Sequence, residues 1–90
     1  MFQKPVFTMT ELGRRLFVLG LHKNKRKDEL WAEFAKFGRV TDVHNSGQGY
    51  GFVTFEMKDE AAVAMMKMNR TKIGGRTITV NIARPRNSGG

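Results

Sequence analysis

Residues 48–55 read Gln48-Gly49-Tyr50-Gly51-Phe52-Val53-Thr54-Phe55. Aromatic and β-branched residues in close succession, entered from a tight Asn45-Ser46-Gly47 turn, predict a strand over Tyr50–Phe55. Upstream of the turn, Val40 and Val43 start another strand. Further upstream, Leu16-Phe17-Val18-Leu19 is an apolar run of strand length that Gly20 ends. A helix lies between these two. Asp28 and Glu29 suit its first turn, where carboxylates meet the positive end of the helix. Leu30, Phe34 and Phe37 fall on one helical face, Trp31 sits on its shoulder, and Gly38 supplies the stop. Downstream of Phe55 a second helix runs from about Asp59 to Met68, with Ala61, Ala64, Met65 and Met68 on one face. Ile73-Gly74-Gly75-Arg76 reads as a two-residue hairpin turn. Ile78, Val80 and Ile82 then alternate with Thr77, Thr79, Asn81 and Ala83 in a last strand.

The order is β-α-β-β-α-β, without an internal repeat. Two helices and four strands of these lengths predict an α+β fold: a ferredoxin-like βαββαβ sandwich with a four-stranded antiparallel sheet and both helices packed on one face. The other face is left bare. Side chains alternate along a strand, so residues two apart share a side. Leu16 and Val18 belong to the core, which turns Phe17 and Leu19 to the open side. For residues 48–55 two assignments stand. One buries Val53 and Phe55 and exposes Tyr50 and Phe52 beside Phe17; the reverse exposes Val53 and Phe55. Either way aromatic rings lie on an uncovered surface, which signals a partner.

Composition narrows the partner. Ninety residues and 10.2 kDa make one small domain, and 40% hydrophobic with 10% aromatic residues is enough for a single core. Sixteen Lys plus Arg against eight Asp plus Glu leave a net charge of +8, which favours polyanions. Cysteine is absent, excluding disulfides, thiolate zinc sites and a cysteine nucleophile. Two His and two Ser leave little material for catalysis. No apolar run approaches the roughly 18 residues a spanning helix needs, and residues 1–14 lack the apolar stretch and cleavage site of a secretory signal. Flat rings on a basic sheet suit unstacked bases, each worth about 1–3 kcal/mol when stacked on an aromatic side chain.

QGYGFVTF at 48–55 resembles the octamer of the RNA recognition motif, [KR]-G-[FY]-[GA]-F-V-x-[FY], at seven of its eight positions. LFVLGL at 16–21 is similar to the companion hexamer, about thirty residues upstream as in that family. The resemblance extends from Arg15 to about Pro85, through DELWAEFAKFGRV and EAAVAMMKMN to IGGRTITVNIA. It implies that Phe17, Tyr50 and Phe52 stack on bases or sugars of single-stranded RNA. It also implies that Thr79, Asn81 and Ala83 read base edges and that Arg84 and Arg86 belong to an extension crossing the sheet. Arg15, Leu19, Gln48 and Thr54 join the same surface, and Asp42 and His44 add polar contacts from the second strand. Several positions depart from the family pattern. Gln48 stands where the octamer has Lys or Arg, which removes a phosphate contact. Gly20 stands for the hexamer's Asn, implying a looser loop after the first strand. Arg70 replaces a common Gly, and the connection between strands two and three is short. These departures imply a modest binder as a lone domain.

Other features have plainer readings. The Lys23–Lys27 loop is either a phosphate grip or a solvated charge run. His44 reads as a strand surface residue, because no metal-ligand partner accompanies it. Gly47-Gln48-Gly49-Tyr50-Gly51 precedes a strand and does not join one to a helix, so it is not a phosphate loop. Met65 and Met68 read as core. Val63 and Met66, with Ala62, point away from the core as a small apolar patch. A protein could dock there, joined by Trp31, or the tail residues Phe2, Val6, Phe7 and Met9 could cover it. The alternative function is therefore a protein-interaction module of the same fold. Members of that kind carry an acidic first helix and an Arg-x-Phe loop, whereas here the loop is Gly75-Arg76-Thr77. An acylphosphatase-like enzyme is opposed by Leu21-His22-Lys23-Asn24, which is no phosphate cradle. The sequence thus predicts an RNA-binding domain over 15–85 with tails at 1–14 and 86–90. No catalytic residue, cofactor, metal or membrane contact is expected. The partners predicted are single-stranded RNA and, through Val63 and Met66, other proteins, with the isolated domain monomeric. The family's usual setting implies the nucleus, with the cytoplasm as a second compartment, and a part in mRNA processing or post-transcriptional regulation.

Overall fold

Alternation of Leu16 and Val18 with Phe17 and Leu19 lays down strand β1 (Arg15–Leu19), buried on one side and open on the other. A computed structural model of the chain describes residues 13–22 and 25–83. Antiparallel to β1 runs β3 (Tyr50–Phe55), with Leu16 opposite Val53 and Phe17 opposite Phe52. This register decides the face left open by the sequence. Val53 and Phe55 are wholly buried, and Tyr50 and Phe52 stay half-exposed beside Phe17. Strand β2 (Val40–Asn45) pairs with the far side of β3, with a bulge between Val40 and Asp42.

The helices close one face of this sheet. Helix α1 (Lys27–Phe34) begins where the Arg26 N–H donates to Glu29 Oε1 at 2.9 Å, satisfying one of the N–H groups that a helix start leaves unpaired. It was expected to reach Phe37, but the last turn tightens into a 3₁₀ segment, Ala35–Phe37, which tucks Phe37 against the core. Helix α2 (Lys58–Met68) starts the same way, the Met57 N–H donating to Glu60 Oε1 at 3.2 Å. Leu30 and Phe34 from α1, and Ala61, Ala64 and Met68 from α2, join Leu16, Val18, Val43, Val53 and Phe55 in one core. Gly51 permits the close approach of α1. A Cβ there would lie 2.6 Å from the His44 carbonyl oxygen and 3.3 Å from Leu30 Cδ2.

After α2 the chain makes a small hairpin, β4 (Lys72–Ile73) and β5 (Arg76–Thr77), turned by Gly74 and Gly75 at φ +62° and +84°. The last strand was expected to run unbroken from Thr77, but it is interrupted. Ile78 leaves the hairpin, its N–H donating to the Thr71 carbonyl at 2.8 Å and its carbonyl accepting from the Arg70 N–H at 2.8 Å. Strand β6 (Thr79–Ile82) then pairs with β1, giving the order β2-β3-β1-β6. Ile78 and Val80 are buried, Ile82 is 37% exposed, and Ala83, expected to read base edges, is buried. Ile82 lies opposite Leu16 on the helix side, at the end of an edge strand flanked by β1 alone. Of the two expected tails, residues 1–12 and 84–90 lie outside the described residues. Arg14 is bonded into the sheet edge, its carbonyl accepting from the Phe55 N–H at 2.8 Å and its Nη1 donating to the Phe55 carbonyl at 3.0 Å.

Two backbone positions give opposite expectations for stability. Gly20 has φ +95°, and a Cβ there would meet the Thr77 carbonyl oxygen at 2.7 Å. Gly20→Ala lowers the unfolding free energy by about 1–3 kcal/mol. Arg70, at φ +67°, is the one described non-glycine residue with a left-handed backbone. Arg70→Gly relieves that cost and raises stability by about 0.5–1 kcal/mol, after the extra chain entropy of glycine in the unfolded state is counted. Urea denaturation midpoints at constant m-value measure both.

Candidate nucleic-acid interface

The pairing registers arrange the open face of the sheet as three rows that cross the strands. One row is Asp42, Thr54 and Arg15, with Ala83 at its end, where the Ala83 N–H donates to the Arg15 carbonyl at 2.8 Å. The next is His44, Phe52, Phe17 and Asn81. The third is Tyr50, Leu19 and Thr79. Eleven residues proposed from the sequence thus converge on one surface.

At its centre three rings touch. Phe17 and Phe52 have centroids 5.3 Å apart and tilted by 44°, and Phe17 and Tyr50 lie 5.9 Å apart at 45°. Tyr50 and Phe52 meet edge-on at 6.2 Å. Such spacings fall within the range of favourable aromatic pairs. The rings therefore hold one another in place while each keeps a part of its surface in solvent. His44 extends the cluster onto β2, its ring 6.2 Å from Phe52. Beside the rings, Leu19 is 48% exposed, and Asp42, Thr79 and Asn81 are also exposed.

Three sequence-predicted positions differ from expectation in surroundings. Thr54 and Ala83 stand in the right row but are buried, being short side chains on either side of the long Arg15. Neither presents much side-chain surface to a ligand. Arg15 itself does more than flank the surface. Its guanidinium carbon lies 4.3 Å from the centre of the Phe52 ring, a cation–π contact made across the strand diagonal. The family resemblance implied that Arg15 joins this face, but not that it covers one of the three rings. Arg84 and Arg86, and Lys23 and Asn24 of the basic loop, lie outside the described residues.

The end of the sheet next to Tyr50 is tightly bound together. The Gly49 carbonyl accepts from the N–H groups of both Gly20 and Leu21, at 2.9 and 2.8 Å. Gly20 packs on the Thr77 backbone, so the loop expected to be loose is pinned from two sides. The short β2–β3 connection is held by its own side chains. Asn45 Oδ1 accepts from the Gly47 N–H, and Ser46 Oγ accepts from the Gln48 N–H and donates to the Tyr50 carbonyl. Asn45 Nδ2 also donates to the Lys25 carbonyl, tying the basic loop to β2. On the opposite side of the molecule Val63 and Met66 are 43% and 72% exposed on α2.

Comparison with known proteins agrees with this geometry. The model of the RNA recognition motif family matches residues 16–79. Glycine-rich RNA-binding protein 8 of Arabidopsis thaliana is 43% identical over 91 residues, an alignment covering 91% of this chain and 53% of that protein. Glycine-rich RNA-binding protein 10 of Brassica napus is 38% identical, with the same coverage of each. The chain thus spans about half the length of these curated relatives. Among solved structures, that of the C. elegans NONO-1 homodimer superposes with a TM-score of 0.77 at 29% identity, over 83% of this chain and 31% of that one. The chain belongs to the RNA recognition motif family.

The contact over Phe52 is measurable. Arg15→Gln removes it and lowers stability by about 0.5–1 kcal/mol, the range for exposed cation–π pairs. Arg15→Lys retains part of that contribution. The chemical shifts of the Phe52 ring protons move in both variants, and more in the first.

Proposed function

We propose, from this membership, that the chain is a single-stranded RNA-binding module that stacks bases on Phe17, Tyr50 and Phe52. The observation that carries the reading is the mutual packing of these three rings on a sheet face that neither α1 nor α2 covers. Every base has a π-face, so a ring held at the surface receives it without reorganisation. The net charge of +8 draws the phosphate backbone toward the domain, and Thr79 and Asn81 on the edge strand supply groups for base edges. Two curated relatives bear the name RNA-binding protein, in keeping with this reading.

The Arg15 contact adds a step. A base that lands on Phe52 takes the place the guanidinium holds in the free protein, and Arg15 then either stacks on the outer face of that base or turns to a phosphate. Asp42 and His44, exposed on β2, border the same position. The finer reading, a part in mRNA processing or post-transcriptional regulation in the nucleus, rests on the family's commonest setting. The second reading, protein docking through α2, draws on the exposure of Val63 and Met66.

Fluorescence anisotropy with a randomised single-stranded RNA tests the assignment. Phe17→Ala, Tyr50→Ala and Phe52→Ala each weaken binding by about 5- to 140-fold, the equivalent of 1–3 kcal/mol per stacked base. Duplex RNA of the same composition fails to compete, because its bases are already stacked. A Val63→Glu/Met66→Glu variant keeps full RNA affinity. Undiminished binding by the folded triple ring variant would overturn the sheet as the site.

A further inference from the structure

Beyond the ring cluster, at the Tyr50 end of the sheet, lies a cleft of about 390 Å³ lined by Leu21, His22, Gly47, Gln48, Gly49 and Arg76. Its walls come from three separate pieces of chain: the segment after β1, the β2–β3 turn, and the first residue of β5. Hydrogen bonds from Gly20 and Leu21 to the Gly49 carbonyl join the first two walls. The Gly20 contact with the Thr77 backbone brings up the third. A volume within the range of roughly 300–1,000 Å³ typical of ligand pockets is therefore preformed.

The lining chemistry has one sign. Arg76 contributes five N–H donors and a permanent charge, Gln48 an amide that both donates and accepts, and His22 an imidazole. Among the described residues no carboxylate lines the cleft. The Arg76 guanidinium makes no ion pair or hydrogen bond with another described residue. It stands exposed beside Gly74 and Gly75, on a hairpin that nothing else described requires to be cationic. This chemistry fits an anion.

Position then says which anion. Gly49 is followed directly by Tyr50, and Leu19 is followed by Gly20 and Leu21. The cleft thus lies directly past the Leu19–Tyr50 end of the stacking surface, on the residues that immediately precede Tyr50 and follow Leu19. Gln48 occupies the octamer position that in this family carries Lys or Arg, so this chain has no charge on that wall. We propose that the cleft binds the phosphodiester adjoining the nucleotide stacked on Tyr50, with Arg76 supplying from across the cleft the positive charge that Gln48 lacks. The assignment rests on the RNA-binding reading above, and it makes Arg76 the affinity-setting residue at this end of the site.

Salt dependence tests it, because each phosphate contact to a single strand contributes about −0.7 to the log–log slope of affinity against salt. Binding of a defined RNA of roughly eight nucleotides, selected from a randomised pool, is measured between about 50 and about 200 mM salt. Arg76→Gln makes the slope shallower by about 0.7, so the variant loses about 2.5-fold less affinity than the parent across that fourfold change. Lys72→Gln removes the same charge from the neighbouring strand β4, outside the cleft, and keeps the parent slope. Arg76→Lys retains the slope, and Gln48→Lys/Arg76→Gln restores it. In the parent, replacing one particular phosphodiester by a neutral methylphosphonate reproduces the Arg76→Gln defect, and the same replacement has no further effect in the variant. Equal slopes for Arg76→Gln and Lys72→Gln, or additivity at every linkage, would assign the effect to net charge and overturn the proposal. A parent whose RNA binding survives Tyr50→Ala unchanged refutes the stacking reading itself, so the two failures are distinguishable. Thermal unfolding midpoints of the variants confirm that the exposed substitutions leave the fold intact.

Discussion

The antiparallel pairing of β1 with β3 is the constraint on which the rest depends. Side chains alternate with a period of two, so one register assigns every residue of both strands to a face. With Leu16 opposite Val53, the aliphatic pair goes to the helices. The same pairing sets Phe17 opposite Phe52 and Leu19 opposite Tyr50 on the bare side. A slip of one residue would turn one strand over, sending Phe17 of β1 into the core or Val53 of β3 into water. Core and stacking surface are thus two faces of one choice, and the burial that stabilises the fold also holds the rings apart from the core at fixed spacing.

The carbonyl of Gly49 plays a comparable part at one end of the sheet. By accepting from both Gly20 and Leu21 it draws the chain after β1 against the β2–β3 turn. Neither contact tolerates much bulk: Gly20 lies under the Thr77 carbonyl, and Gly49 adopts φ +103°. Missing side chains here are what allow three loops to converge. A turn fixed by Asn45 and Ser46 brings little surface of its own, but it makes the cleft rigid and places Gln48 on its wall.

Charge is distributed in keeping with this division. The three ion pairs among described residues, Arg26–Asp28, Lys36–Glu33 and Arg39–Glu56, have separations of 3.7–3.8 Å and lie largely in solvent, so each contributes little to stability. Within the three rows of the open face Asp42 is the one acidic side chain. Arg15 is held over a ring and Arg76 stands by a cleft. Both are cations left without a carboxylate partner among the described residues, next to surfaces on which neither α1 nor α2 rests.

Most of the fold was legible because period-two and 3.6-residue patterns are local: Leu16, Val18, Leu30, Ala61 and Ala64 declare their faces within a few neighbours. The βαββαβ order and the three rings follow from that local code together with the octamer and hexamer spacing. The sequence left open which side of residues 48–55 faces out, and it ran the segment from Thr77 to Ala83 together as one strand. Those points turn on which strand lies alongside and where the sheet ends, and no window of sequence contains that information. The same holds for the site. Phe17, Tyr50 and Phe52 could be named from the chain, but the burial of Thr54, the guanidinium of Arg15 over Phe52 and the placing of Arg76 and Gln48 on one cleft could not. Each joins residues 28 to 39 positions apart or depends on such neighbours, and only strand pairing and loop closure bring them together. Local side-chain pattern determined what the surface is made of; long-range backbone hydrogen bonding decided which groups on it touch.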